Sequence, residues 1–373
     1  MATVRDVVAA LDAIAPFAMA EEWDNVGLLA GRPDATATKA LLTIDLQPAV
    51  AQEAIASKCD VVVSYHPPIF RPLKRLVGGV PGDEAILSLL ERRIAVVSPH
   101  TALDAARGGI NDWIAAGIGS GDVRALLPHS DLPATEETKL VTYCPAESVD
   151  RLRDALASVG AGRIGAYSRC SFETRGMGTF FGEAGAAPTI GKAGRLERFD
   201  EVRLEMVCPR SALALAIESV RHFHPYEEAP IEIYKLEERP QRSRGAGRRL
   251  TLDAPLGIAE IAARLRSLFS VASVRCALPA SAPPTHATIG ISAGSGASLI
   301  DAAIDQGCTL FVTGELKHHE ALAALARGCG LVVAGHTNTE RGYLPRLAES
   351  LASKLSGVSF AVSTKDCDPF TAA

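Results

Sequence analysis

The chain is predicted to be an α/β protein whose core comes from both ends of the sequence and is interrupted by an α+β insert. Three observations carry this. Short apolar runs alternate with helical patterns over residues 1–128, the same rhythm returns after residue 250, and the middle follows a different order. Continuous apolar runs of this length, set between helices, mark parallel strands covered on both faces.

Taken in order, MATVRDVVAALDAIAP reads as an amphipathic helix with no signal-peptide core. Strand KALLTID (39–45), helix PAVAQEAIASK, strand DVVVSY, helix DEAILSLLERR, strand IAVVSP and helix GINDWIAAG follow. HSDLPATEET turns polar and suits a linker. KLVTYCP (139–145) then opens the second rhythm: strand, helix SVDRLRDALASVG, a Gly-rich strand pair, strand VRLEMVCP, helix SALALAIESVRHF and strand PIEIYKLE. This β-α-β-β-α-β order is that of a ferredoxin-like unit. ERPQRSRGAGRR (238–249) reads as a second linker, a short solvated hinge. The expected domains are therefore 1–130 plus 245–373, and an insert over 138–238. Chain ends of an inserted domain usually lie close together, which makes such an arrangement tolerable.

Composition bounds the function. At 373 residues, 47% hydrophobic and 22% charged, the chain is long enough for two or three domains with sizeable cores. A net charge of −5 gives no reason to expect nucleic acid as a partner. The eight cysteines are scattered without a CxxC pair, so buried reduced thiols are expected rather than a thiol-rich zinc site. No stretch approaches the roughly 18 apolar residues of a membrane span. A cytoplasmic protein without membrane attachment is the expectation.

The chemistry concentrates in AGHTNTERG (334–342), where a buried run, GLVVAG, hands over to an amphipathic helix. A spacing of four across the first helical turn lets His336 and Glu340 point at one spot, which is a metal-ligand geometry. The same residues also fit a capping box, Thr337-x-x-Glu340, in which the carboxylate only satisfies backbone amides. Other apolar runs end in polar residues too: Tyr65 and His66, His100 then Asp104, and Glu315 ahead of His318 and His319. Ligands of parallel sheets bind outside the carboxyl ends of the strands, so these groups should converge if the strands are neighbours. Weaker signals leave alternatives open. Asp24 and Asn25 suit a pocket edge or a turn, and the GSG of 294–296 suits a phosphate loop or, by preference, a tight turn. The GxGxxG at Gly160, Gly162 and Gly165 follows no long strand and reads as accidental, and HPYEE (224–228) reads as a strand entry.

Six segments, EEWDNVGLLAG, VVVSYHPPIFRPLKRL, SPHTALDAARGGINDWIA, TIGISAGSGASLIDAA, TGELKHHEAL and AGHTNTERG, together resemble the NIF-three-like family in order and spacing. That family is also described as dinuclear-metal hexameric proteins and as GTP cyclohydrolase I type 2 homologues. GAGRIGAYSRCSF, GMGTF and HPYEEAPIEIYKL resemble the PII/CutA-like insert of its longer members. The resemblance implies an α/β/α core made from both chain ends and a homohexamer. It implies up to two divalent ions per chain (Zn, Mn, Fe or Co) on His66, Asp104, His336 and Glu340, with Glu340 bridging. Tyr65 stands where the family usually has a histidine and would ligate only as phenolate. The expectation is one intact site on His66, Asp104 and Glu340, and a weakened one on His336 and Glu340. His100 is implied either as a ligand or as the group orienting Asp104, and His319 either as a catalytic base or phosphate contact or as part of a solvated helix face.

Mixed imidazole and carboxylate ligands suit metal-assisted hydrolysis, in which two ions about 3.5–4 Å apart bring the pKa of a water toward about 7. The expected function is hydrolysis of a nucleotide or phosphoester, Glu340 bridging the ions and His319 shuttling the proton. The alternative is a non-catalytic metal-handling protein or a regulatory toroid whose insert senses a small ligand.

Overall fold

The computed structural model describes residues 1–370. The chain divides into two compact units, Met1–His129 with Gln241–Ala373, and Ser130–Pro240.

The first unit holds two sheets. One has the spatial order Gly27–Ala30, Ala95–Ser98, Val61–Ser64, Lys39–Thr43 and Ser359–Val362. Its strands run parallel except at the Gly27–Ala30 edge, which pairs antiparallel with Ala95–Ser98. Val61–Ser64 and Ala95–Ser98 are buried at every position, which is why they read as unbroken apolar runs. The last strand comes from the far end of the chain and extends the sheet beside Lys39–Thr43, so both chain ends build this unit.

The other sheet has the order Arg275–Ala277, Gly330–Val333, Leu310–Glu315, His286–Ser295, Arg239–Leu256 and Gly121–Asp131. Its three central strands are parallel. One continuous apolar core joins inner residues of both sheets, such as Val61, Val63, Ile291 and Val312, to the helices Val4–Ile14, Ile110–Ile118, Ile258–Phe269 and Leu344–Lys354. Separate cores cover the outer faces: Pro48–Ala56 with Pro81–Glu91 on the first sheet, and Ile300–Asp305 with His318–Ala326 on the second. The expected single convergence of strand ends is therefore shared between two sheets.

The second unit follows the expected order, with strand Thr138–Cys144, helix Val149–Ser158, strands Phe172–Phe181 and Leu196–Cys208, helix Leu213–Phe223 and strand Ile231–Lys235. Its antiparallel sheet places the first and third strands centrally, the ferredoxin-like arrangement. Leu140, Leu204 and Met206 on one face pack under the two helices through Leu152, Leu156, Ala216 and Val220. Gly160, Gly162 and Gly165 all have positive φ and build a turn there; a Cβ on Gly162 would lie 2.8 Å from the Cys170 carbonyl oxygen. That is backbone packing, not a nucleotide loop.

Of the two segments read as linkers, the second is almost entirely strand, whereas the first is strand only at its ends. His129–Asp131 completes Gly121–Asp131, and the Arg-rich run belongs to the 18-residue strand Arg239–Leu256. Here small residues and one buried arginine alternate with exposed polar ones, a pattern in which hydrophobic periodicity carries no signal. Among the described residues no helix is long and apolar enough to cross a membrane.

Candidate metal centre

His336 lies just before the short helix Asn338–Arg341 and Glu340 lies within it; the helix follows strand Gly330–Val333. No capping box forms: Thr337 makes no side-chain cap bond, and the Glu340 carboxylate turns into the protein. Its Oε1 lies 3.3 Å from His336 Nε2 and its Oε2 lies 3.5 Å from His66 Nε2. Ligand atoms of His66, His336 and Glu340 all lie within 4.8 Å of one another.

Each imidazole is held from behind by a carboxylate on its Nδ1. Asp45 holds His66 at 2.9 Å, Glu315 holds His336 at 3.0 Å, and Asp24 holds His100 at 2.7 Å. The first two arrangements leave Nε2 toward Glu340, as a ligating histidine requires when its other nitrogen is fixed by an acceptor. His66 and His100 follow strands of the first sheet, whereas Glu315 ends one strand of the second and His336 follows another. The ring centroids of His66 and His336, and of His66 and His100, are each 5.3 Å apart.

Three features fit a cation at the trio. Glu340 is buried, and its Oε2 has no hydrogen bond, the His66 contact of 3.5 Å being beyond a normal one. Gly294 leaves room beside it: a Cβ there would sit 2.7 Å from Glu340 Oε1 and 3.1 Å from His336 Nε2. The donor set of two imidazoles and a carboxylate is one that zinc and its neighbours in the transition series accept.

The electrostatics agree. Burial opposes charge on His66, but its bond to Asp45 and the facing Glu340 carboxylate push its pKa up to about 10. For His336 the bond to Glu340 dominates and, with Glu315, raises the pKa to about 9 against the pull of burial. Burial works against an ionised Glu340, yet the two histidines hold its pKa below the ordinary value. The trio is built as an anion facing two imidazoles, and a divalent ion can take the place of their protons.

Asp104 and Tyr65 stand differently from the expectation. Both line the same cavity of about 680 Å³ as the trio, but the Tyr65 hydroxyl donates to Asp104 Oδ1 at 2.6 Å. Burial raises Asp104 to about 7 despite that bond, and burial with the adjacent Asp104 charge raises Tyr65 well above the usual phenol range. A phenolate is therefore disfavoured. Ligand atoms of His66 lie with those of His336 and Glu340, whereas Asp104 is bonded to Tyr65. His100 lines the cavity, but its hydrogen-bond partner is Asp24 and not Asp104.

The structure does not bring His319 to this cavity. It stands exposed on His318–Ala326 and is not among the lining residues, because the helix turns its small and apolar side chains, such as Ala324, to the outer core. The GSG segment is the irregular end of strand His286–Ser295, where the pairing slips between Ser292 and Ser295: the Gly294 and Gly296 amides donate to the Thr339 and Thr313 hydroxyls and are not available to a phosphate. His224 of HPYEE has Nε2 2.9 Å from the Tyr143 carbonyl and Nδ1 accepting from the Tyr226 amide, a satisfied structural histidine. Asp45 and the clamping role of Asp24 escaped sequence reasoning. Asp45 ends KALLTID just as His66 ends its own run, and that parallel is the signal that was there.

Comparison with known proteins agrees with this architecture. The family model Duf34/NIF3 (NGG1p interacting factor 3) matches residues 2–369. The chain is 34% identical to a Bacillus subtilis protein named GTP cyclohydrolase 1 type 2 homolog, over 98% of each chain. It is 30% identical to the Bos taurus NIF3-like protein 1, over 98% of this chain and 91% of that one. A Staphylococcus aureus crystal structure, 27% identical, superimposes with a TM-score of 0.80 over 100% of this chain and 99% of that one. A Bacillus cereus protein related to NIF3 gives 0.68 at 28% identity, over 100% and 99% of the two chains. The chain belongs to the Duf34/NIF3 family.

Proposed function

We propose that this chain binds one divalent transition-metal ion through His66, His336 and Glu340 and acts as a metal-dependent hydrolase on a nucleotide or phosphoester. The observation that carries the reading is the buried Glu340 carboxylate facing two Nε2 atoms whose rings are clamped by Asp45 and Glu315. When bound, an ion of this kind supplies Lewis acidity and makes water a competent nucleophile near neutral pH. Asp45 and Glu315 fix the ring orientation, and Glu340 neutralises charge in a site shielded from solvent. Asp104, with its pKa near 7, is the cavity group suited to exchanging a proton at neutral pH, the task that the exposed His319 is not placed to perform. A second ion at Asp104 has to displace the proton of Tyr65, so it binds more weakly than the first.

Trp23 and Phe70 support a substrate with a planar ring. They remain 58% and 46% exposed at the same cavity, with ring centroids 5.8 Å apart. The names of the curated relatives are compatible with a purine substrate and are carried here as part of the proposal. We also infer a homohexamer in solution, to be measured by multi-angle light scattering. The test of function is turnover on a panel of nucleoside triphosphates and aryl phosphates by the protein stripped with chelator and reloaded with Zn, Mn, Fe or Co. Activity restored by one ion and lost in Glu340→Gln supports the reading. Bound metal without turnover on any member of the panel favours a metal-handling protein.

A further inference from the structure

The insert unit contains a second cavity, of about 710 Å³, on the sheet face turned away from its two helices. Side chains alternate along a strand, so where Val202, Leu204 and Met206 pack under the helices, Phe199, Glu201 and Arg203 face the other way. They line the cavity with Tyr143, Phe180 and Tyr226. Gly182, Ala186 and Pro188–Ile190 of the connection between the two long strands also line it, and two bonds pin that connection down. The Ala187 amide donates to Glu227 at 3.0 Å, and the Thr189 hydroxyl donates to the Pro225 carbonyl at 2.6 Å.

The chemistry of the wall is specific. Phe180, Phe199 and Tyr226 meet edge to face at centroid distances of 5.7 and 5.9 Å, leaving ring surface for a further planar group. The Arg203 guanidinium lies 5.9 Å from the Tyr143 centroid and is already paired with Glu205 at 2.9 Å. Glu201 forms no ion pair among the described residues. The Tyr226 hydroxyl oxygen is buried without a hydrogen-bond partner, although a buried phenol normally has one. Burial and the neighbouring Glu201 carboxylate raise its pKa. Gly176 keeps the cavity open, since a Cβ built on it meets nothing within 4 Å.

We propose that this cavity binds a planar heteroaromatic small molecule bearing N–H donors, its ring on Phe199 and Tyr226 and its N–H edge on the Glu201 carboxylate and Tyr226 hydroxyl. A carboxylate accepting two parallel N–H bonds within an aromatic wall selects a donor edge over an equally flat ring without one. The site is separate from the metal centre, and neither proposal depends on the other.

The test is isothermal titration of the full-length protein with guanosine and with pterin, which carry such an edge, and with caffeine, a flat purine that carries no N–H. Binding of guanosine or pterin at least tenfold tighter than caffeine is expected. Gly176→Leu, which fills the open space, and Glu201→Gln should each weaken it at least tenfold, whereas Glu340→Ala should leave it unchanged. Tyr226→Phe removes only the hydroxyl and serves if Gly176→Leu fails to fold; a several-fold loss is expected. Failure of both guanosine and pterin to bind overturns the proposal, as does undiminished binding by Gly176→Leu. A changed sedimentation coefficient in Gly176→Leu would assign this face to a second copy of the chain and would overturn it too.

Discussion

At the scale of single residues, the account turns on what Glu340 does. Its spacing from His336 was readable in the sequence because i and i+4 share a helix face, but a capping box uses the same pattern. Only the fold separates them, by bringing His66 from another strand to Oε2 and leaving Thr337 without a cap bond. The clamps Asp24, Asp45 and Glu315 were illegible as clamps, because each partners a histidine 21 to 76 positions away. Tyr65 was legible as an oddity, but its hydrogen bond to Asp104 was not. Gly294 offers a sharp test at this scale. Its φ is +60°, and a Cβ would press on Glu340 and His336. Gly294→Ala is expected to cost about 1–3 kcal/mol in stability from backbone strain alone. It should also weaken metal binding, seen as a raised dissociation constant by competition with a fluorescent chelator; unchanged affinity would show that the cradle is not needed.

At the scale of elements, the buried parallel strands were legible because burial on both faces leaves continuous apolar runs. The first half of strand Arg239–Leu256 was not, because its buried positions are Gly245, Gly247 and Arg248, and the buried apolar residues Leu250 and Leu252 come only later. In the insert, the HPYEE segment ties the helix Leu213–Phe223 to the sheet through His224. Burial lowers the His224 pKa, the bond to the Tyr143 carbonyl opposes that, and Arg151 lowers it further. The neutral ring both donates and accepts backbone bonds, so adding a proton sets N–H against N–H. The unfolded chain therefore binds this proton more readily than the folded one. The stability from His224 is fully present above its unfolded pKa of about 6.5 and is lost as pH falls below it. The gap in urea midpoint between wild type and His224→Gln should narrow from pH 7.5 to pH 5.5. A constant gap would contradict the neutral-ring assignment.

At the scale of the whole molecule, the discontinuous unit needs its two chain segments to lock together, and Arg248 does part of this. It is fully buried, with Nε 2.6 Å from Asp112 Oδ1, and it donates to the carbonyls of Ala105, Ala106, Gly245 and Gly247. Arg248→Ala strands these acceptors and the Asp112 carboxylate, with an expected cost of about 3 kcal/mol or more by chemical denaturation. A loss below 1 kcal/mol would show that the segments are held by the apolar core alone. The division into two units was visible from the change of rhythm near residue 139, whereas the presence of two sheets was not, because strand pairing is a long-range property that periodicity does not encode. The central claim is a site for one tightly held ion on His66, His336 and Glu340, with Tyr65 and Asp104 occupying each other beside it. The most direct test is metal content per chain by plasma mass spectrometry at nanomolar free metal, for wild type, Glu340→Ala and Tyr65→His. The account predicts about one ion, almost none, and a rise toward two, respectively. Two ions in the wild type, or an unchanged content in Glu340→Ala, would contradict it.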